Sequence, residues 1–103
     1  MEIKSKLYNQ ALYVLLMGEL DESSAPFVRH TLDVLFDKEK KYNKVVIDLS
    51  QLDFMDSTGI GVMLGRYKRL QQRGIPIFIV NPSSQAERIF QMSGLYDLMP
   101  KIS

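Results

Sequence analysis

Phe54-Met55-Asp56-Ser57-Thr58-Gly59-Ile60-Gly61 is the stretch where one hydrophobic period gives way to another. Ahead of it, Val45, Val46, Ile47 and Leu49 make a short apolar run suited to a strand; after it, Ile60, Met63, Leu64, Tyr67 and Leu70 recur at helical spacing. The junction reads as strand, loop and helix, with Ser57 as the helix N-cap. A serine oxygen there accepts from one of the first unpaired backbone N–H groups, and the helix end favours negative charge. Gly59 and Gly61 fall in the first turns, where a glycine costs about 1 kcal/mol against alanine. Such a cost implies a backbone kept bare for the close approach of a partner or a phosphate.

Working outward, Ile3 to Tyr8 and Leu12 to Met17 read as two strands joined by a tight turn at Asn9-Gln10, which lacks the usual hairpin glycine. Gly18-Glu19-Leu20-Asp21-Glu22 breaks the pattern. Ser23 or Ser24 then caps a helix with Pro26 in its first turn, a buried stripe of Ala25, Val28, Leu32, Leu35 and Phe36, and an end in Lys38-Glu39-Lys40-Lys41. The unbroken run Val45 to Leu49 suits a central strand covered on both faces. Arg73-Gly74 closes the Ser57 helix, and Ile75 to Val80 supplies the parallel strand of a βαβ unit. Ser84 with Glu87 fits a capping box on a third helix with Ala86, Ile89 and Phe90 inward; Gly94 ends it, and Tyr96 to Ile102 reads as a last strand. The class is α/β, a single domain over residues 1–103, with a mixed β-sheet, packed helices and the order ββαβαβαβ.

Thirteen basic against twelve acidic residues leave a net charge of +1, so no overall field draws the chain to nucleic acid or to an anionic membrane. The absence of cysteine excludes disulfides and thiol chemistry. No segment reads as a signal peptide or membrane span, and the expected location is the cytoplasm. Three enzyme readings fail in turn. A serine hydrolase wants glycine two positions before its nucleophile, where Met55 stands, and a base; the single histidine, His30, lies on a helix surface. An aspartic-protease motif is spoiled by the extra residue between Asp56 and Gly59 and by helical neighbours. A phosphate-binding loop lacks its lysine and glycine spacing. Arg66, Lys68, Arg69 and Arg73 read as a solvated helix face whose cations complement the dipole, and Gly65 as a site of close helix packing.

The string from Leu52 to Gly65, continued by Arg66-Tyr67-Lys68, resembles the phosphorylation-site signature of STAS-domain anti-sigma factor antagonists. Gly18-Glu19-Leu20-Asp21 is similar to their second common segment and Phe90-Gln91-Met92-Ser93-Gly94-Leu95 to a third, so the likeness spans nearly the whole chain. Within that family Gly65-Arg66-Tyr67-Lys68 and Asn81-Pro82-Ser83 resemble the sporulation branch more than the stress-response branch. The resemblance implies a binding switch without catalysis or cofactor. The unphosphorylated protein binds an anti-sigma factor that is also a serine kinase and so frees the sigma factor; the kinase phosphorylates the motif serine and a serine phosphatase reverses this. Carried over, Ser57 is the phosphoacceptor, with Asp21, Asp56, Thr58, Gly59 and Gly61 beside it at the partner surface. Members of the family usually continue into a further helix, which this chain, stopping at Ser103, is expected to lack.

Two other readings keep the fold and change the use. One is a regulatory STAS module of an anion transporter or a larger signalling assembly; the other is direct sensing of a nucleotide or other anion at the helix start. For Asp21 a plainer role also stands open, that of helping the first helix begin, because acids are favoured there.

Overall fold

Asn9 and Gln10 both adopt positive φ, 52° and 65°, in the computed structural model, which describes residues 1–39 and 41–102. That is the twist a two-residue hairpin needs, and it pairs β1 (Glu2–Tyr8) antiparallel with β2 (Ala11–Leu20). The chain continues through α1 (Ala25–Lys38), β3 (Lys44–Asp48), β4 (Leu52–Met55), α2 (Ser57–Gln71), β5 (Ile77–Val80) and α3 (Ser84–Ser93) to a 3₁₀ turn at Leu95–Asp97. The sheet order is β1-β2-β3-β5; β2 to β3 and β3 to β5 are parallel, each joined by a helical crossover. Lys40, in the run expected to end α1, lies outside the described residues.

β2 differs most from its sequence reading. Instead of stopping before Gly18 it runs on to Leu20 and changes partner. Ala11 to Leu15 pair with β3, whereas Gly18, Glu19 and Leu20 pair in parallel with β4, a strand the sequence reading left inside the loop. Gly18 makes the change with φ 112°, a conformation that other residues rarely adopt. The register slips between Gly18 and Glu19, so that Gly18 faces Leu52, Glu19 faces Phe54 and Asp53 is the extra residue of a bulge.

The helices cover one face of the sheet. Leu12, Val14 and Leu16 of β2, Val45 and Ile47 of β3, and Ile77 and Ile79 of β5 share a core with Val28, Leu32 and Phe36 of α1, Met63 and Leu70 of α2, and Phe90 of α3. β3 is central, as expected, but helices cover it on one side alone. On the other side Val46 lies between its cross-strand neighbours Tyr13 and Phe78, and Tyr13 is 41% exposed. Val46 is buried all the same, so β3 is covered on both faces as its apolar run implied, on one by helices and on the other by flanking side chains.

The basic stripe of α2 is a clasp. Arg66 lies 3.0 Å from Asp33 of α1, Arg69 reaches both Asp33 and Asp37, and Arg73 donates to the Phe36 carbonyl at 3.1 Å. Pairs of this partly exposed kind contribute up to about 1 kcal/mol each, so they orient two helices whose association the core provides. Gly65, read as a close-packing glycine, has open space where a Cβ would sit. The last expected strand is reduced to a single bridge: Ile79 pairs with Lys101 after the 3₁₀ turn. α3 is capped one residue earlier than expected, by Ser83, whose hydroxyl accepts from Ala86 N–H, while Glu87 instead pairs with Lys101 at 2.7 Å.

Because Gln10 holds a left-handed conformation without being glycine, at a penalty of about 1–2 kcal/mol, Gln10→Gly is expected to raise stability by roughly 0.5–1 kcal/mol, read as the shift in a urea-unfolding midpoint.

Candidate functional site

The partner change of β2 brings two loops to the same end of the sheet. Leu20, the last residue of β2, pairs with Met55, and its carbonyl accepts from the Asp56 N–H at 3.4 Å. The segments leaving the two strands, Asp21 to Ser24 and Asp56 to Ser57, therefore emerge side by side. Asp21, Glu22, Ser23, Phe54 and Asp56 line a shallow open depression of about 520 Å³ between them. Ser57, one residue on from Asp56, stands exposed at the first position of α2.

The helix cap is Asp56 and not Ser57. Asp56 is extended, and its Oδ1 accepts from Thr58 N–H at 2.9 Å and Gly59 N–H at 3.2 Å. A carboxylate satisfies two unpaired donors and meets the positive helix end with a charge, which a serine hydroxyl does not. The consequence is chemical. The Ser57 hydroxyl is released from capping, and two of the N–H groups at the helix start, those of Thr58 and Gly59, are taken by the chain's own carboxylate.

Thr58 is half-buried and turned into the first turn. Gly59 is buried, and its bareness answers an internal need: a Cβ there would lie 2.8 Å from Met55 Cγ and 3.0 Å from the Leu20 carbonyl oxygen. Gly61 is exposed, with open space where a Cβ would sit. The two glycines thus separate into a packing glycine and a surface glycine.

Asp21 performs the plainer of its two expected roles, whatever else it does. Its Oδ1 accepts from the N–H groups of Ser23 and Ser24, both at 3.0 Å, and from the Ser23 hydroxyl at 2.9 Å, while its carbonyl accepts from Ala25 N–H. The Ser24 N–H first and the Ser23 hydroxyl next hold the Asp21 carboxyl below its ordinary range. Ser24, expected as a cap, makes no side-chain cap bond; its hydroxyl donates to the Glu19 carbonyl at 2.7 Å and ties the loop back to β2. Phe54 is the residue that sequence reading quoted but assigned no role. At 40% exposure it stands in the depression among acidic groups, placed there by the bulge at Asp53. Alternation through Leu52 to Met55 would have turned it inward with Leu52. Among the described residues no cluster of side chains could hold a metal ion, and no helix is long and apolar enough to cross a membrane.

A family model described as the STAS domain matches residues 2–103. The chain is 35% identical over 100 residues to an anti-sigma F factor antagonist of Paenibacillus polymyxa, covering 97% of this chain and 85% of that one. It is 36% identical over 86 residues to an anti-sigma-B factor antagonist of Listeria monocytogenes, covering 84% and 74%. The anti-sigma factor antagonist SpoIIAA has been solved in its unphosphorylated form, at 27% identity and a TM-score of 0.77 over 99% of this chain and 89% of that one. A Bacillus SpoIIAA in the phosphorylated form superimposes with a TM-score of 0.68 at 28% identity, over 99% and 92%.

The geometry sets the sign of two substitutions. Gly59→Ala forces Leu20 and Met55 apart and is expected to lower stability by about 1–3 kcal/mol, whereas Gly61→Ala meets open space and is expected to raise it by about 0.5–1 kcal/mol; thermal melts of the pair check both signs. For Asp21 the folded value is depressed, so its stabilisation is fully present above the ordinary carboxylate range of about 4 and is lost as pH falls through the lower folded value. Asp21→Asn is expected to remove that portion of the acid dependence, measured as unfolding midpoints on a pH series.

Proposed function

The chain belongs to the STAS-domain family, and on that premise we propose that it acts, as a single unit over residues 1–103, as an anti-sigma factor antagonist switched by phosphorylation of Ser57. The observation that carries the reading is the exposed Ser57 hydroxyl, freed by the Asp56 cap beside the depression that Asp21, Phe54 and Asp56 line. The names of its relatives supply the class of partner, and a relative solved in a phosphorylated form supports the covalent switch.

In this reading the unphosphorylated protein binds an anti-sigma factor serine kinase in the cytoplasm and so releases a sigma factor, in a sporulation circuit. Phe54 is an apolar contact with an acidic rim, Asp21 and Asp56 are polar contacts, and Thr58 and Gly61 border the same surface. The kinase transfers the γ-phosphoryl group of its ATP to the Ser57 oxygen, which gives up its proton as ADP leaves; a serine phosphatase hydrolyses the ester back. The antagonist is the substrate of both enzymes. The phosphate brings about −1.5 to −2 charges to a surface that already carries Asp56, Asp53 and Asp21. A partner surface fitted to a neutral hydroxyl then faces desolvation and like-charge terms of several kcal/mol, while the helix N-terminus offsets the same charge within the fold by about 0.3–1 kcal/mol.

Mass spectrometry after incubation with the cognate kinase and ATP is expected to place a single phosphate on Ser57 and none on the Ser57→Ala variant. Ser57→Asp is expected to lose kinase binding by calorimetry while melting within a few degrees of the parent. Phosphate on Thr58 with Ser57 unmodified, or an Asp variant that binds undiminished, overturns the reading.

A further inference from the structure

The two outer strands of the sheet are protected in different ways. β1, at one edge, carries Glu2, Lys4 and Lys6, and charged side chains keep an edge strand from pairing with another chain. β5, at the other edge, is Ile77-Phe78-Ile79-Val80, an uncharged run of high strand propensity bounded by Pro76 and, after Asn81, by Pro82. Val45 N–H donates to the Pro76 carbonyl and Leu49 N–H to the Val80 carbonyl. The even-numbered residues therefore face β3, and Ile77 and Ile79 turn their peptide groups outward. An edge of that composition, left open, is a template for a further strand.

The structure shows what lies on it. Residues 100–102 run parallel to β5 and take both outward groups of Ile79, whose N–H donates to the Pro100 carbonyl at 2.9 Å and whose carbonyl accepts from Ile102 N–H at 2.8 Å. The contact is a single bridge, held from two sides. Met99, fully buried, plugs the core just ahead of it. The Lys101 ammonium reaches Glu87 of α3 at 2.7 Å and lies 5.6 Å from the centre of the Tyr96 ring, which itself packs on Phe90 at 5.2 Å. A cation between a carboxylate and an aromatic ring fastens the segment to α3.

We propose that residues 100–102 are a guard strand, latched by Lys101, that keeps the β5 edge from pairing with β5 of a second copy of this chain. The pairing it forestalls is self-complementary. A two-fold axis through Phe78 sets Ile77 of one copy opposite Ile79 of the other, twice, so that their outward N–H and C=O groups are exchanged between antiparallel strands. Phe78 meets its own counterpart, and no charge meets a like charge. A two-fold through Ser5, the middle of β1, instead sets Lys4 against Lys6 twice. Association through β5 closes at two copies, because the outermost strands of the product are the lysine-bearing β1 of each. Neither the guard nor β5 contributes a residue to the Ser57 surface, so the inference stands or falls independently of phosphorylation.

Two variants of the full chain release the guard. Ile102→Pro removes the N–H that the Ile79 carbonyl accepts from, and Lys101→Glu sets a carboxylate against Glu87. Amide hydrogen exchange of the Ile79 N–H, taken at about 10 µM, reads the guard, and sedimentation velocity up to about 1 mM reads association. Each variant is expected to exchange that N–H at least about tenfold faster than the parent and to dimerise at least about tenfold more tightly. Lys101→Arg keeps the cation and is expected to match the parent. Phe78→Lys added to Ile102→Pro sets two ammonium groups against each other on the axis and is expected to return association to the parent's level while the Ile79 N–H stays fast. Melting curves establish that each variant is folded, and the two guard variants carry the test without the third substitution. Guard variants that leave the Ile79 exchange unchanged, that release it and associate no more than the parent, or that associate undiminished in a folded Phe78→Lys background overturn the proposal.

Discussion

The approach of Leu20 to Gly59 is the contact on which the site depends. The end of β2 and the first turn of α2 can lie this close because position 59 carries no side chain: a Cβ would stand 3.0 Å from both the Leu20 carbonyl oxygen and Leu20 Cγ. A methyl group there would push α2 outward and lengthen the bond from Asp56 N–H to the Leu20 carbonyl, already 3.4 Å. That bond and the pairing of Leu20 with Met55 bring the Asp21 loop level with Asp56. The mid-helix cost of glycine, about 1 kcal/mol, is set against a strand-to-helix approach that no other residue permits.

Gly18 is the second half of the same arrangement. A strand that paired with β3 along its whole length would leave β4 without a partner and would carry Leu20 away from α2. The positive φ of Gly18 lets β2 leave β3 after Leu15 and join β4, and the bulge that results turns both Asp53 and Phe54 outward. The acidic and aromatic surface around the depression is thus a by-product of how the strand changes partner. The salt bridges of α1 and α2 lie further down the same pair of helices and hold their angle, so the two helix starts that flank the depression are fixed from below.

Long, periodic elements were legible in the sequence: α1, α2, β3 and the hairpin all form near where the apolar spacing places them. What failed did so where a local rule met a stronger competitor. Ser57 fits the cap preference, but Asp56 beside it carries a charge into the helix dipole and takes two N–H groups. Ser84 with Glu87 fits a capping box, yet Lys101 draws Glu87 away and Ser83, with its hydroxyl on the Leu52 carbonyl, is the better-anchored cap. β4 was hidden because its four residues show no alternation across a bulge, and the arginines of α2 read as solvent-facing because their partners, Asp33 and Asp37, lie on another helix. A sequence period reports which side of an element is apolar; it does not report that two polar sides meet.

The cap reassignment changes what a switch at Ser57 has to do. Had Ser57 been the cap, phosphorylation would have removed a bond that starts α2, and the switch would have acted through the fold. With Asp56 holding Thr58 and Gly59, the serine can be modified without breaking any hydrogen bond of the helix start. Capping bonds are worth about 1 kcal/mol, so a fold-based switch would also have weakened the close Leu20 to Gly59 packing that positions both loops. Under the proposed switch the two tasks fall to adjacent residues: Asp56 caps the helix, and Ser57 offers an exposed hydroxyl that the cap does not use.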